Sequence, residues 1–305
     1  MPRPRLIVHL LALFFMGSAW GFNYALARIT ARGGANPLGL AFWLSFGGGI
    51  TLGILCLVRW TGPRVTSHHM TYYVSSGMLG SVLPVTLYFY AASHVPAGVL
   101  AITGALIPLL TYALSALVRV DVFSIRRLTG LVFGFVAVLF IVTPGSSLPP
   151  PMLPRVLVSL LSSLCYAFQS IYMALRRPAG TDALALTTGM MLASSAIMLP
   201  LVLATNGEGP LAFPSGKIEL PFAAMTVLSA LAYVVYLYLV GDAGPVFASQ
   251  SGYIVTVSGV LWGTVILNEH YSAWVWIALV SMLIGLTLVT LRPGQNAADK
   301  RHHEG

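Results

Sequence analysis

Apolar residues in this chain come in long unbroken runs. Stretches of about 20 apolar positions, bounded by charge, proline or glycine clusters, recur ten times. They cover approximately residues 6–27, 38–58, 71–92, 97–118 and 125–143, then 155–175, 183–204, 220–240, 246–267 and 273–291. Runs of this length suit helices that cross a hydrocarbon core about 30 Å thick, and they lack the alternation of barrel strands. The pattern predicts an all-α integral membrane protein with ten transmembrane helices. Only Ser93, His94, Val95 and Pro96 separate the third run from the fourth. Arg3 and Arg5, followed by Ala25 and Ala27 as a small-x-small site, also allow a signal peptide. The run continues through Trp20, Phe22 and Tyr24, however, which is longer and bulkier than a cleavable segment.

Composition agrees with this reading. Of 305 residues, 57% are apolar and 8% charged, against about 25% charged in soluble domains. So few polar groups cannot cover a soluble body of this size. The net charge of +8 does not point to nucleic acid, because the basic residues are scattered through the loops rather than gathered in a stripe. With the amino terminus in the cytoplasm, the cytoplasmic segments hold Arg3, Arg5, Arg59, Arg64, Arg119, Arg126, Arg127, Arg176, Arg177, Arg292, Lys300 and Arg301. The opposite side holds only Arg28, Arg32, Arg155 and Lys217. This asymmetry obeys the positive-inside rule and predicts both termini in the cytoplasm of an inner-membrane protein.

Prolines and glycine between Thr143 and Pro154 interrupt the helical pattern and divide the chain. The predicted organisation is a first repeat over 1–143, a linker over 144–154, a second repeat over 155–292 and a polar tail over 293–305. The halves match at offsets of 146 to 148 positions: Trp20 with Tyr166, Phe22 with Phe168, Asn23 with Gln169, Tyr88 with Tyr236, Tyr90 with Tyr238, Asp121 with Glu269, and Ser124 with Ser272. Five spans per half force the second half to enter the membrane from the opposite side. Two inverted five-helix repeats are a frame for alternating access around a midplane site.

The run Trp20, Gly21, Phe22, Asn23, followed by Arg28, resembles the W-G-x-N opening of the EamA domain in the drug/metabolite transporter superfamily. The segment from Tyr88 and Ala91 through Pro96, Ala97, Gly98 and Pro108 to Asp121 is similar to the later part of that domain. Gly244 to Glu269 resembles its second copy. The resemblance implies a central cavity lined by helices 1, 3, 4, 6, 8 and 9, and export of amino acids or other small metabolites. The chain departs from the family pattern at Asp121, where Glu is usual, at Arg119 and Val120, where Leu-Gly is usual, and at Thr256, where many members carry Pro.

Polar side chains inside the spans supply the candidate site, since they should face the bundle interior or a wet cavity. Helical spacing groups Trp20, Asn23 and Tyr24 on helix 1, and Tyr166 with Gln169 on helix 6. Tyr88 shares a face with Gly77, Gly80 and Pro84, and Ser229, Tyr233 and Tyr236 share one on helix 8. Gln250 and Tyr253 fall a turn apart on helix 9. Pro84 and Pro108 are candidate hinges, because each removes a backbone donor inside a span. Gly259 with Gly263, Gly49 with Gly53, and Gly130 with Gly134 carry close-approach spacing. The tyrosines and amides can equally serve helix packing.

No Asp, Glu or Lys occupies the middle of a span, which disfavours proton coupling by a buried carboxylate. His9 and His94 fall near span ends, as solvated interfacial histidines would. Arg28 suits either an anion or an anchoring role at the outer end of helix 1, and Asp121 and Glu269 are expected to pair with nearby loop cations. Cys56 and Cys165 sit in apolar runs, and His68, His69, His302 and His303 have no acidic partner at ligand spacing, so no metal or cofactor is expected. The partners implied are a small-molecule substrate and the lipid bilayer. Rival readings are a non-transporting receptor or assembly partner and, on weaker grounds, a membrane-embedded enzyme, for which no acid–base or nucleophile cluster is legible.

Overall fold

A computed structural model describes residues 3–119, 121, 123–143, 152–205 and 218–290. Ten helices of membrane-spanning length run through them: α1 (Arg5–Arg32), α2 (Pro37–Val58), α3 (Ser67–Ala92), α4 (Ala97–Leu117), α5 (Ile125–Val142), α6 (Leu153–Arg176), α7 (Ala183–Ala204), α8 (Glu219–Asp242), α9 (Phe247–Leu267) and α10 (Ala273–Thr290). No strand occurs among the described residues. Each apolar run corresponds to one helix.

Helix ends follow local chemistry. Asn36 accepts a hydrogen bond from the Leu38 N–H and Asp182 accepts one from the Leu184 N–H, side-chain caps that satisfy otherwise orphaned donors of α2 and α7. Asn268 takes a left-handed conformation to close α9, which asparagine tolerates better than most residues. Three ends differ from the sequence expectation. α1 continues to Arg32, which places Arg28 inside the helix. α3 starts at Ser67 after the Thr66 cap, which brings His68 and His69 out of the loop and into its first turn. Pro154 lies in the first turn of α6, where its fixed φ and missing N–H suit a helix start. Most of the predicted linker, residues 144–151, lies outside the described residues, as do Lys217, Arg292 and the tail over 293–305.

Two spans are irregular beside their prolines. In α3, residues Met78–Val82 form a π-helical turn, in which the Leu83 N–H reaches the Met78 carbonyl. The ring of Pro84 would press on the carbonyl four residues back, and the wider turn relieves that conflict. The inserted residue also rotates the downstream face. In α4 the helix is interrupted at Ala105 and Leu106 and restarts at Ile107, with Pro108 in its first turn.

α1 packs on α8 and α9, α6 packs on α3 and α4, α4 meets α9, α2 pairs with α7, and α5 pairs with α10. Exchanging the first five helices with the last five maps this pairing onto itself. Small residues set the closest contacts. A Cβ on Gly130 would lie 2.7 Å from the Gly285 carbonyl, and one on Gly259 would lie 2.5 Å from Ala101 Cβ. Leu11, Phe14, Val132, Leu139, Val265 and Val280 are more than half exposed around the bundle, an apolar exterior suited to lipid.

Candidate functional site

A cavity occupies the centre of the bundle as two joined lobes of about 330 Å³ each. Trp20, Leu44, Val85, Tyr166 and Ser229 belong to both lobes. The first lobe adds Asn23, Tyr24, Tyr88, Gly104 and a row of α6 serines, and the second adds Gln169, Tyr233, Gly80, Ser45 and Met190. This volume accommodates a small metabolite.

The backbone makes room for the polar side chains. A Cβ on Gly80 would meet the amide of Gln169 within 2.4 Å, and one on Gly104 would lie 2.3 Å from the Tyr24 hydroxyl oxygen. Glycine at these two positions therefore lets α3 and α4 seat those groups. Gln169 Nε2 donates to Met190 Sδ at 3.1 Å. Asn23 Nδ2 donates to Ser229 Oγ at 2.8 Å, while Asn23 Oδ1 is buried without a partner. Tyr24 meets Tyr88 edge-to-face, with ring centroids 5.9 Å apart.

The α6 serines tie the cavity wall to α3 and α4. Ser162 Oγ donates to the Pro84 carbonyl at 2.8 Å, Ser163 Oγ to the Thr103 carbonyl at 2.9 Å, and Ser159 Oγ lies 2.6 Å from Thr103 Oγ1. These bonds sit beside the irregular turns of both helices.

Of the ten candidate residues, Trp20, Asn23, Tyr24, Tyr88, Tyr166, Gln169 and Tyr233 line the cavity. Tyr236 stands behind them, its ring 5.8 Å from Trp20 and 6.2 Å from Tyr233. Gln250 and Tyr253 lie outside this group. Tyr253 borders an apolar groove between α1 and α9 with Phe14 and Trp262, and its hydroxyl oxygen is 2.6 Å from Thr290 Oγ1. The sequence reading missed Ser159, Ser162, Ser163 and the α2 and α7 walls. The serines carried a signal, since positions i, i+3 and i+4 form a polar stripe on an otherwise apolar helix. Ser45, Gly48 and Met190 carried none that distinguishes lining from packing.

A buried ionic network lies at one end of the bundle. Arg28 Nε is 2.5 Å from Glu269 Oε1, with the two side chains 3% and 9% exposed. Arg28 also donates to the carbonyls of Val95 and Ala92. Glu269 accepts from the Ala97 N–H at 2.9 Å, at the amino end of α4, and from the Tyr271 hydroxyl at 2.5 Å. Burial, and then its bond to Glu269, raise the Tyr271 pKa well above the ordinary phenol value. Of the two roles open to Arg28, it takes the one that faces a carboxylate, with Glu269 as the partner, and is buried rather than an interface anchor; the expectation for Glu269 is corrected, since it pairs across the chain with α1 rather than with a loop cation. Asp121 does pair locally, with Arg127 at 2.6 Å. His9 is also corrected: it is 2% exposed and its Nε2 lies 2.6 Å from Asp242 Oδ2.

Comparison with known proteins fits this architecture. The EamA-like transporter family matches twice, over residues 7–143 and 153–291. The chain belongs to the EamA-like transporter family. It is 27% identical over 289 residues to the "uncharacterized inner membrane transporter YedA" of Escherichia coli K12, covering 92% of this chain and 90% of that protein. YedA of strains O6:H1 and O157:H7 matches equally. A solved crystal structure of a protein 20% identical covers 93% of this chain and 97% of its own, with a TM-score of 0.63, and so shares the fold. As a member of this family the chain is a membrane transporter.

Proposed function

We propose that the chain is an inner-membrane secondary transporter that exports small metabolites by alternating access around the central cavity. One observation carries the reading: residues from both halves wall the central cavity, and the buried Arg28–Glu269 pair joins the same two halves at one end of the bundle. The exchange-symmetric pairing of the helices supports two inverted repeats that rock against each other. The charge asymmetry of the loops supports cytoplasmic termini, which places the Arg28–Glu269 end outside. Reporter fusions at both termini test that orientation.

The family resemblance puts amino acids and related compounds first among substrates to be tried, with purines and nucleosides beside them. The test is counterflow into proteoliposomes containing the pure protein, run with Asn23→Ala and Gln169→Ala. Each substitution is expected to weaken apparent affinity about tenfold by removing one polar contact, about 1.4 kcal/mol. Unchanged affinity and rate in both correctly inserted variants would remove the cavity from the transport path. Solute binding without counterflow would instead favour a receptor.

A further inference from the structure

Alternating access requires the two halves to part at each end of the bundle in turn, so side chains that join the halves at an end bear on the cycle; this rests on the transport reading above. α1 carries such a contact near each of its ends. Arg28 meets Glu269 at the turn between α9 and α10, and His9 Nε2 lies 2.6 Å from Oδ2 of Asp242, the last residue of α8. The two α1 positions are 19 residues apart. At 1.5 Å per residue that is about 28 Å, close to the thickness of a hydrocarbon core of about 30 Å. The two pairs therefore stand near opposite membrane surfaces.

From the His9 end, a continuous seam between α1 and α8 leads to the cavity. The helices run antiparallel and their facing residues climb in step: His9 with Asp242, Trp20 with Tyr236 at a ring separation of 5.8 Å, and Asn23 Nδ2 donating to Ser229 Oγ at 2.8 Å. Between the first and second of these contacts, Leu13, Met16, Leu239 and Ala248 are buried in one apolar cluster. Trp20, Asn23 and Ser229 line the cavity, so the seam fills the space from there to the His9 surface. His9 sits at its edge between the rings of Tyr238 and Phe247, each 6.0 Å from the imidazole. Its Nδ1 is buried without a partner, and the bond to Asp242 is its polar tie to the second half. Asp242 is 47% exposed. Water competes for that carboxylate, so this pair parts at less cost than the buried Arg28–Glu269 pair.

We infer that His9 and Asp242 are gating residues: their bond latches the α1–α8 seam at that surface, and its release lets the two helices part and opens the cavity there. The apolar cluster behind the pair contributes contact that has no preferred direction. The hydrogen bond is directional, and so it fixes the register in which the seam closes. Arg28 and Glu269 hold the same helix near its other end, which makes α1 a lever with a latch at each membrane surface. Transport then needs one latch released while the other stays made.

The test uses the full chain in membrane vesicles of both orientations, with Cys56 and Cys165 replaced by serine and Thr226→Cys as the reporter. Thr226 lines the cavity and bonds within its own helix, away from the seam. Adding Asp242→Ala should speed labelling by a membrane-impermeant maleimide at least about threefold from the His9 face, with no gain from the Arg28 face. The double variant His9→Leu/Asp242→Ala leaves no unpaired imidazole against the apolar cluster and should show the same one-sided rise. A fold that is merely loosened admits the reagent from both sides. Equal rises from the two faces, or no change from the His9 face, therefore overturn the assignment. Glu269→Gln is the reference for the opposite latch. If it speeds labelling from the Arg28 face while both His9-end variants do nothing, the latch fails and alternating access stands. If labelling stays confined to one face in every background, both fall.

Discussion

Glycines in the bundle have different consequences according to what faces them. A Cβ on Gly130 would meet the Gly285 carbonyl at 2.7 Å and Leu288 Cβ at 2.9 Å, and backbone cannot swing aside as a side-chain tip can. On Gly53 the nearest atom is Thr188 Cγ2 at 3.8 Å, an ordinary contact. Gly130→Ala should therefore destabilise the protein by about 1–3 kcal/mol through overpacking. Gly53→Ala should be neutral or gain up to about 1 kcal/mol, because alanine suits a helix interior better. Unfolding midpoints of the two variants in one detergent decide this, and equal losses would mean that the α5–α10 contact is looser than its geometry. The spacing rule that paired Gly49 with Gly53 could not separate these cases, since it records residue size and omits what lies opposite. The same limit explains the tyrosines. Tyr88 and Tyr253 are similar in sequence context, yet one faces the cavity and the other bonds Thr290 at the groove.

Among the elements, the Arg28–Glu269 network joins α1, the turn between α3 and α4, and the turn between α9 and α10. Its energetics follow from burial of both partners. Removing one leaves the other desolvated and unpaired, which costs about 3–5 kcal/mol, while replacing both with apolar groups costs much less. Glu269→Gln and Arg28→Met are each expected to lower the unfolding midpoint strongly, and the double variant Arg28→Met/Glu269→Leu to recover most of the loss. Additive losses in the cycle would show that the two side chains act independently. The helices themselves were legible because a membrane span needs a long apolar run, and nothing else in the chain resembles one. The network was not, because Arg28 and Glu269 lie 241 positions apart and each looks like an end-of-span charge. The π turn at Met78–Val82 was hidden for a related reason: Pro84 signals an irregularity but not its form.

Over the whole molecule, the two ends of the bundle are unlike. At the Arg28 end, a buried pair and a helix amino terminus converge on one carboxylate. At the other end the matching Asp121 stays within its own half, pairing with Arg127 while 29% exposed, and the pair that joins the halves there, His9 with Asp242, leaves Asp242 47% exposed. A bundle whose halves pack symmetrically but whose ends are latched differently should favour one closed end at rest, and the Arg28 end carries the larger barrier to opening. This can be read at Ser229, which belongs to both lobes of the cavity. In a chain with Cys56 and Cys165 replaced by serine, Ser229→Cys should react with a membrane-impermeant maleimide faster from the face opposite Arg28. Adding Glu269→Gln should raise the rate from the Arg28 face at least about threefold, since even 0.7 kcal/mol off the closed state shifts the populations by that factor. Labelling confined to one face in both backgrounds would mean that the cavity does not alternate, whatever solute it binds.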